Sequence, residues 1–567
     1  MKTWKILNQK KLLKSEDLLA IILENRGLIT KKDQQEFLHP FEPSQLTAKE
    51  LEISPGDLTK SLKRISQAIK KQEQIVVYGD YDCDGITATA IMWQTLFNLG
   101  ARVLPFIPDR AEEGYGLSLA GLDNLKEKIP ETKLIITVDH GIVAVEQTEY
   151  AQKKLGLDVI ITDHHTKAKK LPKAFAIIHT RKLSGSGLSW FVAKELLRHS
   201  GESREAERLQ NRFWTSQNDV NLLDLPALGT IADMVPLVGA NRSIAKYGLA
   251  EIQKTSRVGL LALIKEAGLI REKIGTYEVS FVLAPRLNAL GRIDNALDAL
   301  RLLCTKDEKK AQQLAMRLNE VNGERQRLTE ETVFHARAQL TENSKQISNL
   351  IFISHETYNQ GVIGLVAGKL VESFYRPAIV VSKGRVFSKA SARSISGFNI
   401  VEAIRTQTDL LIDVGGHPMA AGFTIETEKL EILEQRLTEF AEKNISEELL
   451  KRQLIIDGKL DLENITSELF EKLEELKPFG MKNPEPLFCS EVEVVETRLV
   501  GATAKHLKLV VRGSSDQNYD AIAFNFGGLA GKINKGDKIQ IAYTIAKDEW
   551  NGNNKLQLKV RDIKLSV

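Results

Sequence analysis

Acidic residues and histidines follow four short apolar runs of the sequence, at residues 75–77, 134–138, 159–162 and 225–228. The chemistry-bearing residues after these runs are Asp80, Asp82 and Asp84, then Asp139 and His140, then Asp163, His164 and His165, then Asp233. Carboxylate oxygens bind hard divalent cations such as Mg²⁺, and an imidazole shifts the preference toward Mn²⁺. Two such cations roughly 3.5–4 Å apart can assist the attack of water on a phosphoryl group. These residues therefore indicate a hydrolase with two metal ions.

The spacing within each cluster suggests which residues hold the cations. Asp82 and Asp84 lie two apart, and alternate residues of an extended segment point the same way, so both carboxylates can face one cation pair. Asp139 is placed to bridge two cations. His164 and Asp233 could complete the ligand set of one of them. The clusters thus predict one shared site.

The alternative for any single one of these residues is structural. An Asp directly after a strand is most often the N-cap of the next helix. Capping does not explain the paired histidines, so it fails for the set as a whole. Asp80 and Asp163 can be either ligands or partners that orient ligands. His140 is expected to be a solvated loop histidine.

Parallel β-strands must position these clusters. Runs rich in Val and Ile, bounded by Gly and separated by helical patterns, predict buried parallel strands. In an open α/β sheet the ligand crevice lies outside the carboxyl ends of such strands. All four apolar runs are predicted to be strands of this kind, so the residues that follow them should converge on one crevice.

Length and composition indicate a multidomain globular protein. At 567 residues, with 43% hydrophobic and 27% charged residues, the chain is too long for one core and ordinary in composition. The net charge of +4 permits a polyanionic partner without arguing for one. Cys83, Cys304 and Cys489 have neither metal-ligand nor disulfide spacing and fit a reducing compartment. No membrane span or signal peptide is recognisable, so a cytoplasmic location is expected.

Five regions are predicted along the chain. They are an N-terminal extension packed on the first domain (1–55), a parallel-sheet domain (56–255), a helical region that ends in a long helix from about Asp307 to Leu340 (256–345), a glycine-rich α/β unit (346–450) and a small β-barrel (451–567). Alternating strand and helix patterns support the first sheet. Short alternating runs support the barrel.

Longer motifs carry a resemblance to a known superfamily. In chain order they are GDYDCDG at 79–85, GYG at 114–116, the DHH triplet at 163–165, GTIAD at 229–233, APRLN at 284–288, GGH at 415–417, PFG at 478–480 and HLKL at 506–509. In this order they resemble the DHH phosphoesterase superfamily and, within it, exonucleases specific for single-stranded DNA. The resemblance implies a multidomain α/β fold: a parallel-sheet DHH domain, a long connecting helix, an α/β DHHA1 domain and a C-terminal OB-fold barrel.

The resemblance also implies an activity. It is processive, two-metal-dependent 5′→3′ hydrolysis of single-stranded DNA to 5′-mononucleotides, with Mn²⁺ or Mg²⁺, in DNA recombination and repair. Single-stranded DNA with a 5′ end is then the substrate. A single-strand-binding protein and a helicase are candidate partners, and the expected state is a monomer that binds no membrane.

The resemblance assigns roles to individual residues. The implied metal ligands are Asp82, Asp84, Asp139, His164 and Asp233, with Asp80 as a further candidate. His165 would contact the scissile phosphate or donate a proton to the leaving oxygen, in a catalytic group with Asp139 and Asp163. The residues expected to contact DNA are Arg110, Tyr115, Arg286, Asn288, Arg292, Ser391, Arg393, Ser394, Gly415, Gly416 and His417. Guanidinium groups suit phosphates, and an aromatic ring suits stacking on a base. Surface ion pairs for the arginines, packing for Tyr115 and a glycine turn capped by His417 are the alternatives.

The predicted barrel carries a second set of candidate DNA contacts. Lys505, His506, Lys508, Tyr543 and Trp550 interleave charge and aromatic rings on its strands. That pattern suits a groove that follows single-stranded DNA. The alternative is a half-exposed strand with no ligand.

The chain departs from the superfamily pattern at a few positions without losing a proposed ligand. They are His140, His179–Thr180, the small-residue segment 184–187, Asn359 and Lys482. Asn359 stands for a usual histidine, which puts rate or substrate preference in question. Two other functions stay open. A pyrophosphatase, or a phosphodiesterase of short oligonucleotides or cyclic dinucleotides, is disfavoured by the barrel. A non-catalytic scaffold is disfavoured by the complete ligand set.

Overall fold

The computed structural model describes residues 2–12, 15–110, 113–200, 223–343, 347–548 and 555–565. The chain divides into two compact units. The larger unit comprises residues 6–319 and 455–567, and the smaller unit comprises residues 1–5 and 320–454. Within the described ranges, no helix combines the length and the apolar character needed to cross a membrane.

The N-terminal region packs on two parts of the larger unit. Its elements are β1 (Thr3–Leu12), α1 (Ser15–Asn25) and α2 (Lys31–Leu38). Leu18, Ile22 and Phe37 belong to the hydrophobic core that fills the C-terminal barrel. The segment after α2 is held by the sheet domain, where Lys246 Nζ donates to the Leu38 carbonyl at 2.8 Å. The sequence predicted packing on the first domain, and the structure adds the barrel.

A five-stranded parallel sheet lies at the centre of the sheet domain. Its elements are α3 (Pro55–Lys70), β2 (Gln74–Tyr78), α4 (Cys83–Asn98), β3 (Val103–Phe106), α5 (Leu119–Lys128), β4 (Thr132–Val138), α6 (Val145–Lys153), β5 (Asp158–Asp163), β6 (Ala176–His179) and α7 (Gly185–Ser200). The strand order is β3-β2-β4-β5-β6, and every neighbouring pair is parallel. Tyr78, Thr137 and Ile161 are in register across β2, β4 and β5. The residues after these three strands therefore leave the sheet at one edge.

Helices follow the sheet. They are α8 (Asp224–Ala232), α9 (Gly239–Ile252), α10 (Val258–Glu266), a short helix Thr276–Glu278 that runs into a π-helical turn Val279–Leu283, α11 (Ala284–Ile293) and α12 (Leu297–Cys304). Residues 225–228, predicted to be a fourth strand, lie instead in the first turns of α8. A short buried apolar run does not distinguish strand from helix. Pro226 fits the beginning of a helix but would remove a hydrogen bond from a central strand. Asp233 therefore follows a helix.

The predicted long helix is present as α13 (Glu308–Asn343), whose 36 residues span about 54 Å. The smaller unit then adds β7 (Ile351–His355), α14 (Ile363–Phe374), β8 (Ala378–Ser382), β9 (Phe387–Arg393), α15 (Ile400–Arg405), β10 (Leu411–His417), β11 (Ala420–Glu426) and α16 (Leu430–Asn444). The sheet order is β10-β11-β9-β8-β7, with β7 and β8 parallel and the other pairs antiparallel. This is the predicted glycine-rich α/β unit.

The predicted barrel is also present. Its elements are β12 (Gln453–Leu460), α17 (Ser467–Glu474), β13 (Phe488–Val500), β14 (His506–Arg512), β15 (Asn518–Ala523), β16 (Lys538–Asp548) and β17 (Lys555–Leu565). Because β13 pairs with both β14 and β16, five strands close in the order β13-β14-β15-β17-β16. Tyr543 does not line a groove, since it is buried in the core and its hydroxyl bonds the Ser490 hydroxyl at 2.8 Å. Trp550 lies outside the described residues.

Candidate metal centre and substrate contacts

The predicted acidic residues and histidines meet at the carboxyl edge of the parallel sheet. His164 Nε2 lies 3.0 Å from Asp139 Oδ1, 3.6 Å from Asp233 Oδ2 and 4.0 Å from Asp84 Oδ2. Candidate ligand atoms within 4.8 Å of one another form three groups: Asp80, Asp82 and Asp139; Asp139, His164 and His165; and Asp84, His164 and Asp233. Asp139 and His164 each belong to two groups. The residues of these overlapping groups could therefore hold divalent cations, with Asp139 and His164 each available to more than one group.

The beginning of α4 positions Asp82 and Asp84. Asp82 is the N-cap, and its Oδ1 accepts the N–H of Gly85 at 3.0 Å. Asp84 lies in the first helical turn, not on an extended segment, and accepts the N–H groups of Gly185 at 2.6 Å and Ser186 at 3.0 Å. The start of a helix stabilises negative charge. Capping, the alternative considered for a single Asp, therefore holds for Asp82 alongside its place in the cluster.

Two glycines allow the carboxylates to pack closely. A Cβ on Gly185 would overlap Asp139 Oδ1, and a Cβ on Gly229 would overlap Asp84 Oδ1. Asp139 has a φ of 70°, in the left-handed region that residues other than glycine rarely adopt. Strained conformations of this kind persist where the surrounding structure fixes them, often at functional sites. From the sequence, segment 184–187 was identified only as a departure from the superfamily pattern. In the structure, the N–H groups of Gly185 and Ser186 and the absence of a side chain at Gly185 shape the site.

The electrostatics of the cluster fit divalent cations. Burial raises the pKa of Asp80, Asp82 and Asp139, and neighbouring carboxylates raise it further. Burial and Asp84 raise the pKa of Asp233 to about 9. Burial lowers the pKa of His164 to about 4, so its imidazole is neutral and able to bind a cation. Asp80 Oδ1, Asp139 Oδ1 and His164 Nε2 are buried and accept or donate no hydrogen bond within the described residues. Cations would neutralise this charge and satisfy these atoms.

Asp163 orients His165. Its Oδ1 accepts the backbone N–H of His165 at 3.0 Å and lies 2.8 Å from His165 Nδ1, while its Oδ2 accepts the Ile142 N–H at 2.8 Å. Although burial acts in the opposite direction, these bonds hold the pKa of Asp163 well below its usual range. Burial also opposes the charge on His165, but Asp163 outweighs it and raises the pKa of His165 to about 9. His165 is therefore protonated at neutral pH.

Two further histidines support the site without joining it. His140 is only 2% exposed, and its Nε2 lies 3.0 Å from the Tyr78 carbonyl. Burial lowers the pKa of His140 to about 4. The prediction of a solvated loop histidine was wrong, because the turn after β4 directs the ring into the domain. His179 Nε2 lies 2.7 Å from the His165 carbonyl, a support that the sequence did not predict.

Arg110 and Tyr115 lie beside the motif that contains Asp80 and Asp82. Tyr115 is 55% exposed, and its ring meets Tyr81 edge-on with centroids 6.1 Å apart. The Arg110 guanidinium lies 5.3 Å from the centre of the Tyr81 ring. Part of the Tyr115 ring is thus open to solvent while it contacts Tyr81, and its contact with a substrate stays a prediction.

Helix α11 contacts the first motif from another side. The side-chain oxygen of Asn288 accepts the N–H of Cys83 at 2.6 Å, so this predicted DNA contact supports the ligand-bearing turn. Arg286 Nε donates to Asn319 Oδ1 at 3.1 Å, and Arg292 is half-buried on the same helix. Asn288 thus has a structural contact that the sequence did not predict, and its contact with DNA stays a prediction.

The remaining predicted DNA contacts lie in the smaller unit, on the strands β9 and β10 and, for Ser394, directly after β9. Through β11, the register aligns Ser391 with Gly415 and Arg393 with His417. Gly415, Gly416 and His417 are exposed on β10, the edge strand of the sheet. The sheet therefore places these predicted residues on two strands that are separated by β11.

Helix α14 begins beside β9. A Cβ on Gly364 would lie 2.9 Å from Ser391 Oγ and 3.1 Å from Arg393 Nη2. Arg393 Nη1 donates to Ser391 Oγ at 3.2 Å. Ser394, by contrast, is only 5% exposed, and its hydroxyl donates to the Phe398 carbonyl at 2.6 Å. That hydroxyl serves the fold.

Three protein-family models match the chain. Residues 74–230 match the DHH family, N-terminal domain; residues 345–443 match the DHHA1 domain; and residues 456–562 match the RecJ OB domain. These matches and the observed sheets and barrel confirm the predicted fold class.

Curated relatives match nearly the whole chain. The single-stranded-DNA-specific exonuclease RecJ of Bacillus subtilis (strain 168) is 39% identical over 561 residues, which cover 97% of this chain and 68% of the relative. The protein of the same name from Escherichia coli (strain K12) is 32% identical over 527 residues, which cover 89% of each chain.

Solved structures agree. The crystal structure of RecJ in complex with Mn²⁺ from Thermus thermophilus matches with a TM-score of 0.80 and 29% identity, covering 100% of this chain and 80% of that one. A structure of exonuclease RecJ bound to manganese matches with a TM-score of 0.56 and 35% identity, covering 68% of this chain and 94% of that one.

Proposed function

Because this chain belongs to the RecJ family of single-stranded-DNA-specific exonucleases, we propose that it hydrolyses single-stranded DNA from the 5′ end to 5′-mononucleotides, in DNA recombination and repair. The observation that carries this proposal is the convergence of the whole predicted ligand set in one cluster at the carboxyl edge of a parallel sheet. A scaffold with a dead core would have no need to keep every ligand.

Two divalent cations, Mn²⁺ or Mg²⁺, fit this cluster. The residues that would hold them are Asp80, Asp82, Asp84, Asp139, His164 and Asp233. Divalent cations bound there supply positive charge that polarises phosphoryl oxygens and lowers the pKa of water. Gly185 and Ser186 fix the Asp84 carboxylate through their N–H groups, which keeps its orientation independent of the substrate.

His165 is the proposed proton donor. Its Nδ1 is engaged by Asp163, so its other ring nitrogen, Nε2, would donate a proton to the 3′ oxygen as that oxygen leaves. The Asp163 carboxylate stabilises the protonated ring and fixes its orientation. Arg110 and Tyr115, beside the cluster, would bind a phosphate and stack on a base.

The smaller unit would bind the 5′-terminal phosphate. Ser391 and Arg393 on β9, with Gly415 and His417 aligned to them, offer a hydroxyl, a guanidinium group, open backbone and an imidazole. The start of α14 lies against this pair and favours an anion. On the barrel, Lys505, His506 and Lys508 would contact the rest of the strand.

The proposal extends to the setting of the reaction. Cys83, Cys304 and Cys489 are free thiols, which suits the reducing cytoplasm. On the basis of the family resemblance, the proposal also includes a monomeric state and cooperation with a single-strand-binding protein and a helicase.

Digestion of end-labelled DNA tests the proposed function. Matched single strands labelled at the 5′ or the 3′ end are incubated with Mn²⁺ or with EDTA. We expect immediate release of labelled mononucleotide from the 5′ label only, and no release in EDTA. Turnover of dinucleotides with no cleavage of long strands would overturn the proposal and indicate an oligonucleotide phosphodiesterase. Deletion of the barrel provides a second arm, since long-strand cleavage should then fall.

A further inference from the structure

The segment that follows the catalytic histidines carries positive charge only. From His164 to Lys194 the sequence contains no Asp or Glu, and its charged residues are Lys167, Lys169, Lys170, Lys173, Arg181, Lys182 and Lys194. The overall charge of the chain is close to balanced, so this segment is locally unusual. Clustered charge, unlike net charge, produces a field that attracts polyanions.

The first part of this segment, residues 164–175, begins at the metal centre. It connects β5 to β6, the edge strand, and these strands are parallel, so residues 164–175 must return from the carboxyl end to the amino end. The N–H of Phe175 donates to the Val159 carbonyl at the amino end of β5. Lys167 therefore lies toward the metal centre, and Lys173 lies toward the opposite end of the strands.

Four of these lysines are open to a ligand. Lys167, Lys169, Lys170 and Lys173 are exposed, and none of them forms an ion pair with a carboxylate of the described residues. Other lysines nearby do have partners: Lys182 pairs with Glu52 at 3.0 Å, and Lys153 pairs with Glu149. The hydrogen bond with Lys153, and to a smaller extent the charges of Lys170 and Lys173, lower the pKa of Glu149. Within the described residues, the four lysines thus keep their positive charge without a direct ion pair.

We propose that Lys167, Lys169, Lys170 and Lys173 form a basic strip that binds the phosphodiester backbone of the substrate strand outside the metal centre. The proposal rests on the proposed nuclease function. Lysine is a flexible point charge, which suits phosphate binding without sequence preference. The strip offers no stacking platform, because Phe175, the aromatic residue that follows it in the chain, is covered by the Lys60 ammonium at 4.4 Å.

The length of the strip determines which phosphates it contacts. From Lys167 to Lys173 an extended chain reaches at most about 22 Å, well beyond the size of the metal cluster. The strip therefore contacts phosphates that are not being cleaved. A dinucleotide bound at the metals would leave most of the strip empty, whereas a long strand would cover it.

Salt dependence tests the strip directly. The variant K167Q/K169Q/K170Q/K173Q is compared with the full-length protein and with the control K31Q/K32Q/K309Q/K310Q, which removes the same charge from exposed lysines elsewhere. For a long single strand, log(kcat/KM) decreases linearly with the logarithm of the salt concentration. In the first variant this dependence should become shallower by about 2 to 3, because each lost phosphate contact removes about 0.7 from the steepness of the slope. Its loss of kcat/KM should be at least tenfold greater for the long strand than for a dinucleotide. Anisotropy of a labelled long strand in EDTA measures the same slope for binding without cleavage.

Each contrary result has a distinct meaning. If the salt dependence of the strip variant equals that of the control variant in both the cleavage and the binding assay, the proposed basic strip is wrong. Equal losses for the long strand and the dinucleotide would also overturn it, because the lysines would then act through the metal centre. A defect that appears only when an acidic protein accompanies the DNA would replace the proposal with a protein-docking surface. If the unaltered protein releases no nucleotides from any strand, the proposed function fails. The salt dependence of DNA binding in EDTA then still tests whether the four lysines bind the strand.

Discussion

The side-chain oxygen of Asn288 accepts the backbone N–H of Cys83 at 2.6 Å, between the ligand candidates Asp82 and Asp84. A helix distant in sequence thereby fixes the turn that carries two carboxylates. Groups that orient metal ligands typically change metal affinity or activity 10- to 100-fold when removed. Asn288 is a positioning residue in this arrangement.

Asn288→Ala should therefore weaken metal binding more than it weakens the fold. We expect the Mn²⁺ concentration at half-maximal activity to rise about 10-fold or more, because the turn loses its fixed orientation. The control is Asn319→Ala, which removes the partner of Arg286 without touching the turn. Equal shifts of the Mn²⁺ midpoint in both variants would show that Asn288 acts only on general stability.

Asp139→Asn should abolish cleavage of single-stranded DNA at saturating Mn²⁺. Asp139 belongs to two of the three groups of candidate ligands, so its loss would remove a ligand from both. Without metal the variant should be at least as stable as the original protein, since a carboxylate crowded among others is removed. Both expectations are checked by measuring DNA cleavage and thermal unfolding of the variant, each with Mn²⁺ and with EDTA. The control is Asp123→Asn, a substitution of an exposed residue on α5. Near-normal activity would contradict the bridging position.

Metal removal should make stability depend on pH. In EDTA, the free energy of unfolding should fall as the pH rises from about 7 to about 9. Burial raises the pKa of Asp233 to about 9, and Asp163 raises that of His165 to about 9 against the effect of burial. The folded protein thus holds protons that the unfolded chain has already lost, and this stabilisation disappears as the pH passes through the folded pKa.

Thermal unfolding at both ends of this pH range, in EDTA and in Mg²⁺, measures the effect. Saturating Mg²⁺ should reduce the slope, because a bound cation displaces the proton from Asp233. Asp233→Asn should reduce the slope in EDTA. Stability that rises with pH in EDTA would contradict the protonation states described for the cluster.

Gly229→Ala should destabilise the protein although alanine favours helices. A Cβ at this position of α8 would overlap Asp84 Oδ1 and Ser186 Oγ, so the site must expand. Overpacking of this kind typically costs about 1–3 kcal/mol, and here it also displaces a ligand candidate, so activity should fall as well. Urea unfolding and DNA digestion measure the two effects.

Gly323→Ala is the matched control on another helix. It lies in α13, and a Cβ there would meet no atom within 4 Å. Alanine should stabilise the protein by about 0.4–1 kcal/mol at this position, because it restricts the unfolded chain. Stabilisation by both substitutions would mean that the space around Gly229 can adapt.

The sequence predicted the elements better than the contacts between them. The parallel sheet could be predicted from its Val- and Ile-rich strands. The order of the acidic clusters was sufficient to predict that the site lies at the carboxyl edge of this sheet. The run before Asp233 was misassigned because a short apolar segment has no distinguishing period. His140 was misassigned because a side chain's direction depends on the backbone, and the left-handed φ of Asp139 is not readable from residue types.

The sequence pattern could not predict contacts between residues that are far apart in the chain. The N–H groups of Gly185 and Ser186 hold Asp84, and the Asn288 amide holds Cys83, across long stretches of sequence. Backbone donors are present at almost every residue, so no residue type marks them in advance. The small residues at 184–187 were the available signal, since glycine permits close approach of another group.

The burial of α1 and α2 in the core of the barrel has a consequence for biosynthesis. Leu18 and Ile22 pack with residues such as Leu469, and Asn25 Nδ2 donates to the Asp457 carbonyl at 3.0 Å. During translation these early helices must therefore wait for most of the chain to leave the ribosome before their apolar faces are covered. Nascent chains arrested before the barrel is synthesised should consequently recruit chaperones through residues 15–38, even when the sheet domain has already folded.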